Sequence, residues 1–222
     1  KAESRGLGDV YKRQQLEQSF GINFTVLVNG QPKVLNLKEI LQEFIKHRKD
    51  VVTKRTKFEL KKAKDRGHIV EGLMVAIANI DAIITIIKKS KDPKIAAAEL
   101  CKKTWKAGPI EAILKKVGKD ACKPKGLSAD LGLKGKNYKL SPDQAKSILE
   151  LRLGRLTGLE QDNLSSEFNE LIEKIQKLQE ILDDKNVLQG VVRDELNEIK
   201  ESFGDERKTD INDARQDISN ED

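Results

Sequence analysis

The side chains in this chain that could do chemistry are few, and their spacing does not assemble a catalytic set. The two histidines, His47 and His68, are far apart in the sequence, and neither lies in a glycine-bearing turn of the kind that presents an activated nucleophile. The two cysteines, Cys101 and Cys122, have no CxxC spacing and no histidine nearby, which predicts reduced thiols rather than a zinc site. We therefore expect no catalytic, cofactor-binding or metal-binding residue.

Two further patterns indicate neither nucleotide nor metal chemistry. The run LGLKGKN at residues 131–137 is similar to a phosphate-binding loop, but it lacks the first glycine at the required spacing and has Asn137 where Ser or Thr would bind magnesium. Asp183 and Asp184 are predicted to lie on the solvent face of an acidic helix. We expect a solvated surface there rather than a metal site.

Composition favours a small core joined to an extended element. Of the 222 residues, 37% are hydrophobic, 35% are charged and 4% are aromatic, proportions that do not suit one large core. The net charge of +6 permits contact with nucleic acid, although most basic residues fall on one predicted helix with an acidic neighbour. The most apolar run, residues 73–87, is too short to span a bilayer, and no signal peptide is visible. We expect a soluble protein without a membrane partner.

The rest of the chain is organised around residues 160–186. Their apolar side chains fall in steps of four and three residues, the spacing of a helix that lies along another helix. This predicted seam consists of Leu164, Phe168, Leu171, Ile175, Leu178 and Leu182. Eight acids against three lysines between residues 160 and 185 make the helix acidic, so its partner should be basic.

Residues 37–66 are the predicted partner. Asn36 and Glu39 have the spacing of a reciprocal N-terminal capping pair, and ten Lys or Arg oppose three acids between residues 46 and 66. The same four-three spacing gives a second seam at Leu37, Leu41, Phe44, Arg48, Val51, Arg55 and Phe58. Opposite charges favour pairing these segments over pairing copies of either. We predict an antiparallel coiled-coil arm made of residues 37–66 and 160–186.

Local signals place the remaining segments. Residues 1–14 are expected to be a non-native or disordered leader, which contains Tyr11. Residues 15–36 should contain a β-hairpin, because Asn29-Gly30 is a strong hairpin turn signal between β-branched runs. After the return arm, residues 187–222 should form a helix that ends at Gly204, followed by the start of a linker.

Residues 67–159 are predicted to form a helical knob at the tip of the arm. It should contain a buried helix at residues 68–87, a helix opened by Asp92-Pro93 and another at residues 110–117. Residues 118–139 are predicted to be a long loop, and Ser141 should cap a further helix. The predicted fold class is mainly α: a long antiparallel two-helix coiled coil, a helical globular knob and a short β-hairpin near the N-terminus.

Several long motifs in series resemble one known family. These are FGINFTVLVNGQPKVLNLKEIL, HRKDVVTKRTKFELKKAKDRGHIVEGL, AIANID, LSPDQAKSILELRLGRLTGLE and FGDERKTDI. In this order they are similar to the A subunits of DNA gyrase, a type IIA DNA topoisomerase, from about Tyr11 to Asp222. The resemblance implies the end of the tower domain at residues 15–36, then the coiled coil, with the knob as the lower dimer gate through which a transported DNA duplex leaves.

The resemblance also implies what lies elsewhere. In the full enzyme double-stranded DNA is broken and rejoined, with negative supercoils introduced by ATP hydrolysis in the B subunit. The catalytic tyrosine lies upstream, so this segment alone should be inactive and hold no cofactor, whereas Mg2+ and ATP are used elsewhere in the enzyme. The implied partners are a second copy through the knob, double-stranded DNA and the gyrase B subunit. The implied location is the bacterial cytoplasm, at the nucleoid.

Three alternatives remain open. The segment could come from the A subunit of topoisomerase IV, it could be a non-enzymatic coiled-coil dimerisation protein, or it could be a basic nucleic-acid binder acting alone.

Within the knob, the predicted dimer-gate residues are Asn137, Tyr138, Leu140 and Ile148, since an irregular segment that leads into a capped helix is exposed by construction. The alternative for Tyr138 and Ile148 is an ordinary core position, as for Trp105.

Overall fold

The structure is a computed structural model that describes residues 23–108, 110–118, 121–124, 126–128, 130–151 and 158–208. The predicted leader, Tyr11 and the predicted linker beyond residue 208 lie outside these residues. The chain divides into two compact units, residues 1–48 and residues 49–222. The described part is mainly helical, with seven helices and two small antiparallel sheets, which confirms the mainly α class.

The first unit contains the predicted hairpin. Strands β1 (Thr25–Val28) and β2 (Gln31–Val34) pair antiparallel, with Thr25 opposite Val34 and Val28 opposite Gln31. The two turn residues, Asn29 and Gly30, have φ of 53° and 78°, the left-handed values that a tight hairpin turn requires. This confirms the predicted β-hairpin near the N-terminus.

Helix α1 (Leu37–Ala78) begins in the first unit and continues into the second. The predicted capping pair opens it: the Glu39 amide donates to Asn36 Oδ1 at 2.9 Å, and the Asn36 amide donates to Glu39 Oε2 at 2.9 Å. The predicted end at residue 66 is wrong, because the helix continues for twelve more residues, 67–78. The apolar run at residues 73–87 therefore does not begin a new helix, because its first part, residues 73–78, completes α1.

The chain turns by 91° between α1 and α2 (Ile80–Lys89). Asn79 lies at the break, and its side-chain amide donates to the Val75 carbonyl at 2.8 Å and to the Lys106 carbonyl at 2.9 Å. Helix α3 (Pro93–Lys102) follows with Asp92 as N-cap and Pro93 in its first turn. Both features of α3 agree with the sequence-based prediction.

The knob also contains a sheet that the sequence pattern does not predict. Strands β3 (Thr104–Lys106), β4 (Gly132–Lys134) and β5 (Asn137–Lys139) pair antiparallel in the order β3-β5-β4. Helix α4 (Ile110–Val117) lies between β3 and β4 in the chain and has the predicted bounds. Part of the expected long loop is therefore strand.

Three further helices complete the second unit: α5 (Pro142–Leu149), α6 (Gly158–Asp183) and α7 (Lys185–Phe203). Helix α7 ends just before Gly204, as predicted. One hydrophobic core unites the second half of α1 with the knob and α6; it includes Val70, Val75, Trp105, Tyr138 and Phe168.

Among the described residues no single helix is long and apolar enough to cross a membrane. Only the bent pair α1 and α2 reaches the length and apolar composition of a membrane span.

Candidate functional site

Helix α1 is joined to the two C-terminal helices by ion pairs. Arg66 donates to Glu167 on α6 through two nitrogens, Nε to Oε1 at 2.7 Å and Nη2 to Oε2 at 3.1 Å. Arg55 donates to Glu195 on α7. The two pairs join α1 to two different helices. Such exposed pairs are typically worth only about 0.2–1 kcal/mol, so they add little to the strength of this packing.

Four of the six predicted seam residues on α6 are buried. Leu164, Phe168, Ile175 and Leu178 are at most 8% exposed, whereas Leu171 and Leu182 are half-buried. Ile172 is also buried at 5%, and the four-three spacing does not select it. The stripe on α6 is therefore wider than a strict seam, which is typical of a helix packed against a globular core on one side.

The buried stripe of α1 differs from the predicted one. Phe58 is 68% exposed and Val51 is half-buried, while Leu41 and Phe44, which lie in the first unit, are exposed. Between residues 49 and 66 the buried positions of α1 are instead Val52, Thr56 and Ala63. The prediction follows the largest apolar side chains, whereas the structure buries small ones, which allow a neighbouring element to approach closely.

Beyond this stripe, Gly67 continues the close approach. A Cβ atom placed on Gly67 would lie 3.0 Å from Cys122 Sγ and 3.7 Å from Ile175 Cδ1. The Cys122 thiol is buried, and this burial, with the nearby Glu71 carboxylate second, raises its pKa to about 12. Burial also raises the pKa of Cys101. Such thiols stay protonated at neutral pH and are poor nucleophiles.

A buried polar cluster joins α1 to the sheet and to the start of α5. Its members are His68, Glu71, Tyr138, Ser141 and Gln144, each at most 4% exposed. Gln144 lies at its centre: its Nε2 donates to the His68 carbonyl at 2.7 Å and to Tyr138 Oη at 2.8 Å, and its Oε1 accepts from the Ser141 amide at 2.9 Å. Reversing this amide would place an oxygen against two acceptors, so the orientation is fixed by its neighbours.

The ring of His68 makes two further contacts within the cluster. Its Nε2 is hydrogen-bonded to Ser141 Oγ at 2.8 Å. Its Nδ1 lies 3.2 Å from Gln144 Nε2, whose two protons are donated to the His68 carbonyl and to Tyr138 Oη. Ser141 Oγ also accepts from the Gln144 amide at 3.2 Å as the N-cap of α5, so one hydroxyl serves both the ring and the helix.

Burial moves the pKa of both ionisable rings toward the neutral form. The pKa of His68 lies below its ordinary value, first because burial disfavours the charged ring and also because of Lys123, while Asp143 and Asp65 act in the opposite direction. The pKa of Tyr138 is raised, first by burial and then by the Glu71 carboxylate, which also hydrogen-bonds the tyrosine hydroxyl. At neutral pH both rings are therefore neutral, and the cluster holds α1 against the sheet and α5 without acting as an acid–base pair.

The free energy of unfolding of the chain should depend on pH through His68. A histidine with a lowered folded pKa binds protons more weakly in the folded state than in the unfolded state. Its contribution is therefore complete above the unfolded value of about 6.5 and is lost as pH falls through the folded pKa. We expect the free energy of unfolding to fall below about pH 6.5, by at most about 1.4 kcal/mol per pH unit from this group. Urea unfolding at a series of pH values measures this.

The matched control is the exposed His47. His68→Gln should remove that component of the pH dependence, and His47→Gln should retain it. An unchanged slope in His68→Gln would contradict the assigned role of the ring.

The predicted dimer-gate residues are mostly inside the knob. Tyr138, Leu140 and Ile148 are 0%, 0% and 5% exposed, and only Asn137, on β5, faces solvent. In this conformation the three buried side chains have no surface to offer a second copy, and the core alternative for Tyr138 and Ile148 matches their positions. Strand β5 is the central strand of its sheet, and Tyr138 is its one buried position.

Two other side chains give the knob an apolar surface. Ile87, near the end of α2, is 38% exposed, and Ile95, in the first turns of α3, is 50% exposed. Helices α2 and α3 pack against each other. In the described part of the knob these are the large hydrophobic side chains that reach solvent.

A cleft of about 570 Å3 lies beside the buried cluster. The cleft is lined by Asp65 and His68 of α1, by Asp143, Lys146 and Glu150 of the α5 region, and by residues of the segment before β4.

Among the described residues no group of three histidine, cysteine or acidic side chains could hold a metal ion. Asp183 and Asp184 are both exposed, and Asp184 is the N-cap of α7, accepting from the Asn186 amide at 2.7 Å.

Comparison with known proteins agrees with the serial motifs. A family profile that describes the A subunits of DNA gyrase and topoisomerase IV matches residues 1–197. The chain is 47% identical over 205 residues to the DNA gyrase A subunit of Pseudomonas aeruginosa, covering 92% of this chain and 22% of the relative. It is 46% identical over 216 residues to that of Aeromonas salmonicida, covering 97% and 23%. The chain thus spans less than a quarter of the length of these two relatives.

The profile covers more than half of the chain, and the curated relatives match nearly all of it at identities far above 30%. The chain therefore belongs to the family of DNA gyrase and topoisomerase IV A subunits.

Proposed function

We propose that this chain is the arm and the exit-gate dimerisation element of a DNA gyrase A subunit. The observation that carries the proposal is that ion pairs join α1 to both C-terminal helices, Arg55 to Glu195 and Arg66 to Glu167. Helix α1 runs without a break from Lys49 into the knob core. We propose that α6 runs antiparallel to α1 in the arm. A continuous helix braced by two neighbouring helices is stiff, and a gate that opens and closes needs a stiff lever.

In the whole enzyme we propose the activity implied by the relatives' name. Double-stranded DNA would be broken and rejoined by other domains of the same polypeptide, with Mg2+ bound elsewhere. Negative supercoils would be introduced by ATP hydrolysis in the gyrase B subunit. The present chain would transmit motion and hold the dimer, without cleaving DNA. We place the enzyme in the bacterial cytoplasm at the nucleoid. The A subunit of topoisomerase IV is the second candidate, because the matching family profile covers both enzymes.

We further propose that two copies meet through the surface of Ile87 and Ile95. Both side chains are exposed and lie on packed neighbouring helices, and burying them in a twofold interface removes apolar surface from water. The buried Tyr138, Leu140 and Ile148 would support this surface from within. They would not form it.

Dimerisation tests the gate directly. Light scattering and sedimentation of the 222-residue chain should show a dimer at tens of micromolar. Replacing both Ile87 and Ile95 by glutamate should weaken the dimer at least about 30-fold, the loss typical of an interface anchor. Far-UV circular dichroism should be unchanged, since both positions tolerate solvent.

The matched control is Ile199→Glu, which changes a side chain of similar exposure, 51%, on α7 outside the knob. It should leave the dimer intact. A monomeric parent chain would refute the gate role for this segment, and a dimer unaffected by the double change would refute the proposed surface.

A further inference from the structure

We propose that the face of α1 centred on Phe58 binds single-stranded nucleic acid, with lysines on the phosphates and the phenyl ring stacked on a base. Phe58 is 68% exposed, whereas Val52, Thr56 and Ala63 form the buried stripe of the same stretch. A ring this exposed adds little to the core. Single exposed apolar side chains are common on protein surfaces. The charges around this ring are what point to a ligand that carries both phosphates and flat apolar faces.

The side chains around this ring are cationic. Lys54, Lys61 and Lys62 lie four residues before, three after and four after Phe58, which puts them on the same helical face, and Lys57 precedes it directly. All four lysines are exposed. The span from Lys54 to Lys62 is about 12 Å at 1.5 Å per residue, about the length of four stacked nucleotides of one strand.

The other charges of this stretch do not cancel the lysines. Arg55 is held by Glu195, so we do not count it among the phosphate contacts. Glu59 and Asp65 are half-buried, unlike the lysines. The exposed face is therefore positively charged around an apolar centre, which complements a chain of phosphates that carries flat, apolar base faces.

Two other occupants fit this face less well. A duplex keeps its base faces stacked on each other, so a ring on a convex helix could reach only groove edges. An apolar protein partner would have to remove water from the ammonium groups around the ring, which is costly without counter-charges. An unpaired strand avoids both problems, since its phosphates supply the counter-charge and its bases are open for stacking. This inference does not depend on the dimer gate.

Fluorescence anisotropy tests the proposal with a fluorescein-labelled twelve-nucleotide oligothymidine and the 222-residue chain. Phe58→Ala should weaken binding about 5- to 100-fold, the range of base–aromatic stacking. Phe203→Ala, a similarly exposed phenylalanine on α7 at 81%, should leave binding unchanged. Phe58→Leu should lose most of the affinity as well, because leucine keeps the apolar area without the flat ring. In Phe58→Trp, added oligothymidine should quench indole emission.

Salt dependence tests the lysines separately. Lys61→Glu with Lys62→Glu should reduce the slope of log affinity against log salt by about 1.4, from two lost phosphate contacts on a single strand. Lys174→Glu with Lys177→Glu, two exposed lysines of α6, should leave the slope unchanged. Equal affinity of the parent and Phe58→Ala, tighter binding of a hairpin duplex than of oligothymidine, or equal losses in both lysine pairs would each overturn the proposal.

Discussion

Phe168→Ala is expected to lower the free energy of unfolding by about 3–5 kcal/mol, the usual cost of deleting a fully buried aromatic ring. Phe168 is 0% exposed and belongs to the core that joins α6 to α1 and the knob. Its removal leaves a cavity in the core that α6 shares with α1. Urea unfolding followed by fluorescence measures the effect, and the chain's single tryptophan, Trp105, is buried in the same core.

The control is the same substitution on α1. Phe58→Ala removes a ring that is 68% exposed, so it should change the free energy of unfolding by no more than about 0.5 kcal/mol. Similar losses in the two variants would mean that α6 and α1 do not bury the faces described above.

Gly72→Ala is expected to lower the free energy of unfolding by about 2–4 kcal/mol. A Cβ atom at Gly72 would lie 2.6 Å from Gln144 Cγ and 2.8 Å from its Cβ and Cδ. Gln144 is completely buried and hydrogen-bonded to His68, Tyr138 and Ser141. It can move away only by breaking those bonds, so one methyl group both overpacks the core and leaves polar atoms unpaired.

Gly190→Ala is the matched control, because both glycines lie within helices and nothing lies within 4 Å of a Cβ at Gly190. That change should stabilise the chain by about 0.5–1 kcal/mol through helix propensity and unfolded-state entropy. In addition, Gln144→Ala combined with Gly72→Ala should cost less than the sum of the two single changes, since the contacts with Cγ and Cδ are then gone and only the one with Cβ, at 2.8 Å, is left. Additive losses would place the damage of Gly72→Ala elsewhere.

Features set by neighbouring residues could be predicted from the sequence. The Asn29-Gly30 turn, the Asn36–Glu39 pair and the Ser141–Gln144 capping box each involve residues within four positions, and each is present. Local chemistry decides such structures, because the backbone needs a left-handed turn residue or a partner for its first amides. Helix bounds at Ile110–Val117 follow from the same kind of signal.

Features that depend on distant partners could not be predicted in the same way. Three-residue strands carry no detectable period, so the β3-β5-β4 sheet depends on tertiary pairing. Large apolar residues such as Phe58 dominate a search for periodicity along α1, yet close packing favours Val52, Thr56 and Ala63. The polar cluster around Gln144 escapes prediction for a similar reason, since His68 and Ser141 are 73 positions apart. Only the capping box gives a signal there.

The shared hydroxyl of Ser141 links two motions. It is hydrogen-bonded to the ring of His68 on α1, and it accepts from the Gln144 amide in the first turn of α5. If α1 rotates about its own axis, His68 must either pull the start of α5 with it or lose a buried hydrogen bond. Rotation of α1 is therefore coupled to the position of α5. A twist of α1 would shift the start of α5 instead of being absorbed between the two helices.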